Sequence, residues 1–125
     1  MKSKRNGPVR RGVDLDLKAK MFRGFADRSR LAILDLLRAG PKCVYEIADT
    51  VSLSQPNTSA HLACLEECGL VHKERRGKFI YYRMAHREAT TLLNQAEAVL
   101  AKVGDHIFRC TRYGDNGRKG KKRKT

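Results

Sequence analysis

No stretch of this chain approaches the roughly 18 consecutive apolar residues of a membrane span, and the basic opening run MKSKRNGPVRRG lacks the apolar segment of a signal peptide. The expectation is a soluble, intracellular protein with no membrane partner. There is no phosphate-binding glycine loop, no metal-protease helix motif and no obvious acid and base pair. Gly114, Gly117 and Gly120 sit in a basic, unpatterned tail. An enzyme is not expected. With 125 residues, the chain has room for one domain with one modest core. Acidic residues are also scarce, 13 against 27 Lys and Arg, which leaves a formal net charge of +14. Residues 1–12 and 114–125 hold +10 of it, so only +4 belongs to the stretch between them. We read 1–12 and 111–125 as basic disordered tails, which raise affinity for any polyanion without locating a specific surface, and 13–110 as the folded domain.

Between Val13 and Ala26 the apolar residues Val13, Leu15, Leu17, Met21, Phe22 and Phe25 recur mostly every three or four positions, the mark of an amphipathic helix. Asp27 suits the N-cap of a second helix with Leu31, Ile33, Leu34, Leu36 and Leu37 inside, stopped by Gly40-Pro41. A third helix covers Val44–Val51, with Ile47, Ala48 and Val51 inward, and Ser52-Leu53 form the turn. Ser54 caps a fourth helix, Pro56 sits where a missing N–H costs nothing, and Ala60, Leu62, Leu65 and Leu70 face inward until Gly69 ends it. Leu70–Arg75 and Lys78–Met84, separated by Arg76-Gly77, predict a β-hairpin. A last helix runs from about His86 to Phe108, with Ala89, Leu92, Leu93, Ala96, Val99, Leu100 and Val103 on one face.

Two short helices joined by a tight turn, followed by a hairpin, predict a mainly helical fold with a β wing. This is a winged helix-turn-helix, four helices, two strands and a closing helix in order, whose second motif helix enters a DNA major groove. The exposed early positions of that helix, Gln55, Asn57, Thr58, Ser59 and His61, carry groups that reach base edges or phosphates, and no acid precedes Glu66. Gln55 and Asn57 suit bidentate reading of adenine, while Ser54, Thr58 and Ser59 suit phosphates. Lys73, Arg75, Arg76 and Lys78 gather positive charge on the hairpin. The first and last helices offer more apolar surface than one small core absorbs, so a homodimer on a palindromic operator is expected.

The runs FADRSRLAILDLL, YEIADTVSLSQPNTSAHLACLEECGLV and HKERRGKFIYYRM closely resemble the ArsR/SmtB family of bacterial metal-responsive repressors over about residues 15–110. The resemblance implies a homodimer, with its outer helices at the interface, that binds double-stranded operator DNA when metal-free and is released by metal. Family members place their ligands in different elements. Here Cys43-Val44-Tyr45 keeps one thiol of a Cys-Val-Cys pattern, and Asp105, His106 and His86 do not space convincingly as a last-helix site. Cys64, Cys68 and Cys110 resemble the three-thiolate arrangement of the cadmium- and lead-sensing branch called CmtR. That implies a soft inducer, Cd(II) or Pb(II), with Zn(II), Hg(II) and As(III) also suited. The spacing agrees, since residues four apart on a helix share a face with Cβ atoms about 5–6 Å apart, and thiolates favour soft or borderline metals. Cys110 could act within its own subunit or across to the partner.

Other readings use the same residues. In a reducing cytosol four cysteines are metal ligands, redox-active thiols or plain buried residues, Cys43 being the one read as structural. A winged-helix regulator answering to thiol oxidation or to a protein partner, without metal, is the alternative function. A basic RNA- or ribosome-associated protein, dominated by its tails, is a rival from another class.

Overall fold

A computed structural model describes residues 14–112 of the chain. The basic tails therefore lie outside the described residues, apart from Thr111 and Arg112.

Helix α1 spans Leu15–Phe25 and is capped by Asp14, whose carboxylate accepts from the Leu17 amide. Helix α2 spans Arg28–Leu37, with the Asp27 carboxylate accepting from the Arg30 amide at 3.0 Å as expected. A two-residue strand β1, Lys42–Cys43, then leads straight into α3, Val44–Val51. Ser52, left-handed at φ 59°, ends α3 and makes the tight turn into α4, Gln55–Glu67. Strands β2, Val71–Arg76, and β3, Phe79–Met84, form the hairpin, and α5 covers Arg87–Arg109.

The chain divides into two compact units, one up to Ala89 and one from Thr90 onward. In the first, the core is Ile33, Leu34 and Leu37 of α2, Ile47 of α3, Leu62 and Leu65 of α4 and Val71 of β2, all essentially inaccessible to water. The second holds most of α5. Leu93 is buried, whereas Val99, Leu100, Ile107 and Phe108 are exposed, Phe108 by 81%. Helix α1 contributes only Phe25 to the buried set, while Leu15 (72% exposed), Leu17, Met21 and Phe22 face outward.

The winged helix-turn-helix is therefore observed, with local differences from the sequence expectation. β1 was not expected. It pairs antiparallel with β3 through Lys42↔Tyr82 and Cys43↔Tyr81, giving a three-stranded sheet in the order β1-β3-β2, and two residues are too short to show alternation. The hairpin turn is Gly77-Lys78, one residue later than Arg76-Gly77. Arg76 pairs with Phe79, and the left-handed residue at the first turn position is Gly77, φ 63°, which tolerates it without a Cβ. Ala60 is exposed rather than inward, because the buried stripe of α4 is Thr58, Leu62 and Leu65. Leu31 is likewise exposed.

The Asp27 carboxyl is held below the usual carboxylate range, chiefly by the Arg30 amide it caps, then by the Arg30 and His61 charges, against partial desolvation. A depressed carboxyl adds stability that is present above its unfolded pKa, about 3.9, and lost as pH falls through the lower folded value. Asp27→Ala is expected to cost about 1 kcal/mol at neutral pH and Asp27→Asn less. Urea unfolding at fixed protein concentration, repeated between about pH 7 and pH 3, should show the Ala penalty shrinking with acid.

Candidate nucleic-acid interface and thiol pair

The α3–turn–α4 unit sets the N-terminus of α4 outward. The Ser54 hydroxyl accepts from the Asn57 amide at 3.1 Å, and Pro56 lies in the first turn, where no acidic residue offsets the helix dipole. Gln55, Asn57 and Ser59 are exposed there, as expected. Thr58 is not. It is 0% exposed and its hydroxyl donates to the Ser54 carbonyl at 2.9 Å, so its assignment to phosphate contact is withdrawn. A threonine can hold this core position because its one polar group finds a partner within the same turn. His61 is half-buried and close enough to Asp27 to act on that carboxyl, so it looks back toward the α1–α2 corner.

On the hairpin the register sorts the basic residues. Lys73 and Arg75 share a face with Ile80 and Tyr82, and Lys73 reaches Glu66 of α4 at 3.8 Å, so this face looks toward α4. His72, Glu74 and Arg76 lie on the other. There Arg76 is occupied, with Nε 3.3 Å from Glu74 and its guanidinium 4.8 Å over the Tyr81 ring. Arg75 and Lys78 have no such partner among the described residues and are exposed. The four wing cations of the sequence reading are therefore not equivalent.

The thiols also separate. Cys43 is buried at the start of α3, where its amide donates to the Glu46 carboxylate at 2.9 Å, in keeping with the structural role expected. Cys64 is half-buried in α4 and Cys68 is exposed at its C-cap, one turn further on. Partial desolvation, then the charge and hydrogen bond of the neighbouring Cys64, push the Cys68 thiol above its ordinary value, Glu67 adding to this and Arg30 opposing it. The two thiols are thus neighbours, one turn apart on α4. Cys110 is half-buried just past α5, its amide donating to Ile107 at 3.0 Å. Among the described residues no group of three His, Cys, Asp or Glu side chains is gathered in one place to hold a metal ion. Two adjacent sulfurs still match a soft ion, because bringing two thiolates together is costly unless a cation lies between them.

Sequence reasoning missed Arg30, whose Nε donates to the Gly24 carbonyl at 3.1 Å and which sits 3.8 Å from Asp27 while also bearing on Cys68. No local pattern marks it, since its partners come from α1, α2 and α4. Thr58→Val is expected to lower stability by about 1 kcal/mol in chemical unfolding while leaving the exposed polar edge of α4 intact.

Residues 27–73 match the bacterial regulatory protein, arsR family. The chain is 32% identical over 102 residues to a probable mercury resistance operon repressor of Streptomyces lividans, spanning 82% of each chain. It is 35% identical over 95 residues to an arsenical resistance operon repressor of Escherichia coli K12, spanning 75% of this chain and 74% of that one. Among solved structures, a homodimeric winged helix-turn-helix DNA-binding domain from Mycobacterium bovis superposes with a TM-score of 0.68 at 32% identity, covering 81% of this chain and 94% of the other.

Proposed function

Since this chain belongs to the arsR family of bacterial regulatory proteins, DNA-binding transcriptional repressors and not enzymes, we propose that it grips a palindromic operator as a homodimer and lets go when a thiophilic ion is held by Cys64, Cys68 and Cys110. The observation that carries this reading is the placement of Cys64 and Cys68 one turn apart at the C-terminal end of α4, the helix whose other end carries the exposed polar edge.

Gln55 and Asn57 supply base contacts, while Ser54, Ser59 and the free amides at the start of α4 take phosphates. Arg75 and Lys78, with no carboxylate partner among the described residues, supply the wing's phosphate contacts, and Lys73 and Arg76 less, since each must first leave a carboxylate. The homodimer is supported by the apolar residues that α1 and α5 leave exposed, and by the homodimeric M. bovis domain.

Three sulfurs suit Cd(II) and Pb(II), and Hg(II) or As(III), the agents named for the two relatives' operons, ask for the same soft donors. When bound, such an ion neutralises the thiolates. The rest is done by the chain. Cys64, Cys68 and Cys110, the last from the same or the partner subunit, would hold the ion as thiolates, having given up their protons, and would thereby tie the C-terminal end of α4 to the segment beyond α5. A tether there moves the reading helix or alters the spacing of its two copies. A coupling of about 1–3 kcal/mol would weaken operator binding roughly 5- to 150-fold.

Cadmium titrated into the protein–operator complex is expected to dissociate the wild type and Cys43→Ser, but not Cys64→Ser, Cys68→Ser or Cys110→Ser. Saturating cadmium without loss of operator affinity would refute metal release. In a salt series, Arg75→Ala and Lys78→Ala should each lower affinity for all sequences alike and reduce the salt slope by about 1, with Arg76→Ala changing it less.

A further inference from the structure

Two imidazoles that take no part in the function above lie side by side at the foot of the hairpin. His72 is the second residue of β2, paired across the sheet with Arg83, and His86 stands between β3 and α5. Their ring centroids are 6.4 Å apart and the planes are tilted by 56°. Both residues are exposed. The backbone that carries them is pinned, since the Ala85 amide donates to Leu70 at 3.0 Å and the Ala89 amide to His86 at 3.1 Å. The neighbouring Arg83 is engaged away from the pair, its Nε 3.8 Å from Glu74 and its terminal nitrogen donating to Met84.

Two rings that share an ion have a defined separation. An imidazole nitrogen lies about 2.0–2.1 Å from a bound zinc, and the ring centre about 1.1 Å further, so each centroid sits about 3.2 Å from the ion. A tetrahedral angle then sets the centroids about 5.2 Å apart and a trans arrangement about 6.4 Å. The observed separation lies at the upper end of that range, and for exposed rings the remaining ångström is within reach of side-chain rotation. Imidazole suits zinc, nickel and copper, where paired thiolates select softer ions.

We propose that His72 and His86 form a second metal site, a two-imidazole seat for a borderline divalent ion with water in the remaining positions. It fastens the foot of β2 to the residue that leads into α5. It uses none of the cysteines, so it stands or falls apart from the inducer reading.

The test is nickel chloride titrated into the full chain, wild type and with Cys64, Cys68 and Cys110 all replaced by serine, followed by calorimetry and by histidine NMR line broadening. One nickel per protomer is expected in both, broadening the His72 and His86 resonances. His72→Ala and His86→Ala should each weaken binding at least about 10-fold, and the double variant should be little weaker than either single one, because two ligands of one ion are not additive. His106→Ala should bind as wild type. Unchanged affinity in either single variant, loss of binding in the serine variant, or equal loss in His106→Ala would each overturn the assignment. Since both residues are exposed, unfolding curves of the metal-free variants should match wild type and exclude misfolding as the cause.

Discussion

Thr58, Leu62 and Leu65 are sealed on one side of α4 while Gln55, Asn57 and Ser59 stand in water on the other, and the proposed DNA-reading edge depends on that division. The buried stripe belongs to the same core as Ile33, Leu34 and Ile47, which fixes the helix about its own axis. A rotation by one residue, about 100°, would take the polar edge out of reach of a groove and bury it unsatisfied. The hydroxyl of Thr58, spent on the Ser54 carbonyl, lets the stripe run to the first turn of the helix without a stranded polar group.

The two ends of α4 carry different chemistry. Its N-terminus offers free amides, a serine cap and no acid, an electrostatic setting for phosphate. Its C-terminal end carries the thiol pair, with Glu67 raising and Arg30 lowering the cost of taking the proton from the Cys68 sulfur. One helix thus joins a polar end suited to anions to an end that carries two thiols, and Arg30, which ties the end of α1 to α2, also acts on the Cys68 thiol through its charge. That arrangement is the physical basis on which the proposed release would act.

Much of this was legible in the residues. Asp27 and Ser54 as caps, Gly69 at φ 82° behind α4, and the alternation of the hairpin announce the elements, because each reports a local backbone requirement that few residue types meet. The placement of Cys64 and Cys68 one turn apart on α4 was legible for the same reason, four residues being about one helical turn. The reading erred where a local pattern had a second solution. Ala60 and Thr58 lie within two residues of each other, and hydrophobicity alone picks the alanine although the stripe of 58, 62 and 65 needs the threonine. Four cations on the hairpin look alike in sequence until pairing shows which of them already have a carboxylate or a ring to hold.

Turn chemistry, periodicity and charge were enough to determine the order of the helices and the hairpin and the family resemblance, since these rest on neighbours within about one helical turn or one hairpin. Only the tertiary structure decided what spans more distant segments. It added β1 to the sheet, joined Arg30 to the end of α1, buried Thr58 and laid His72 beside His86. Contacts of that kind depend on how the core closes, and no spacing along the chain encodes them.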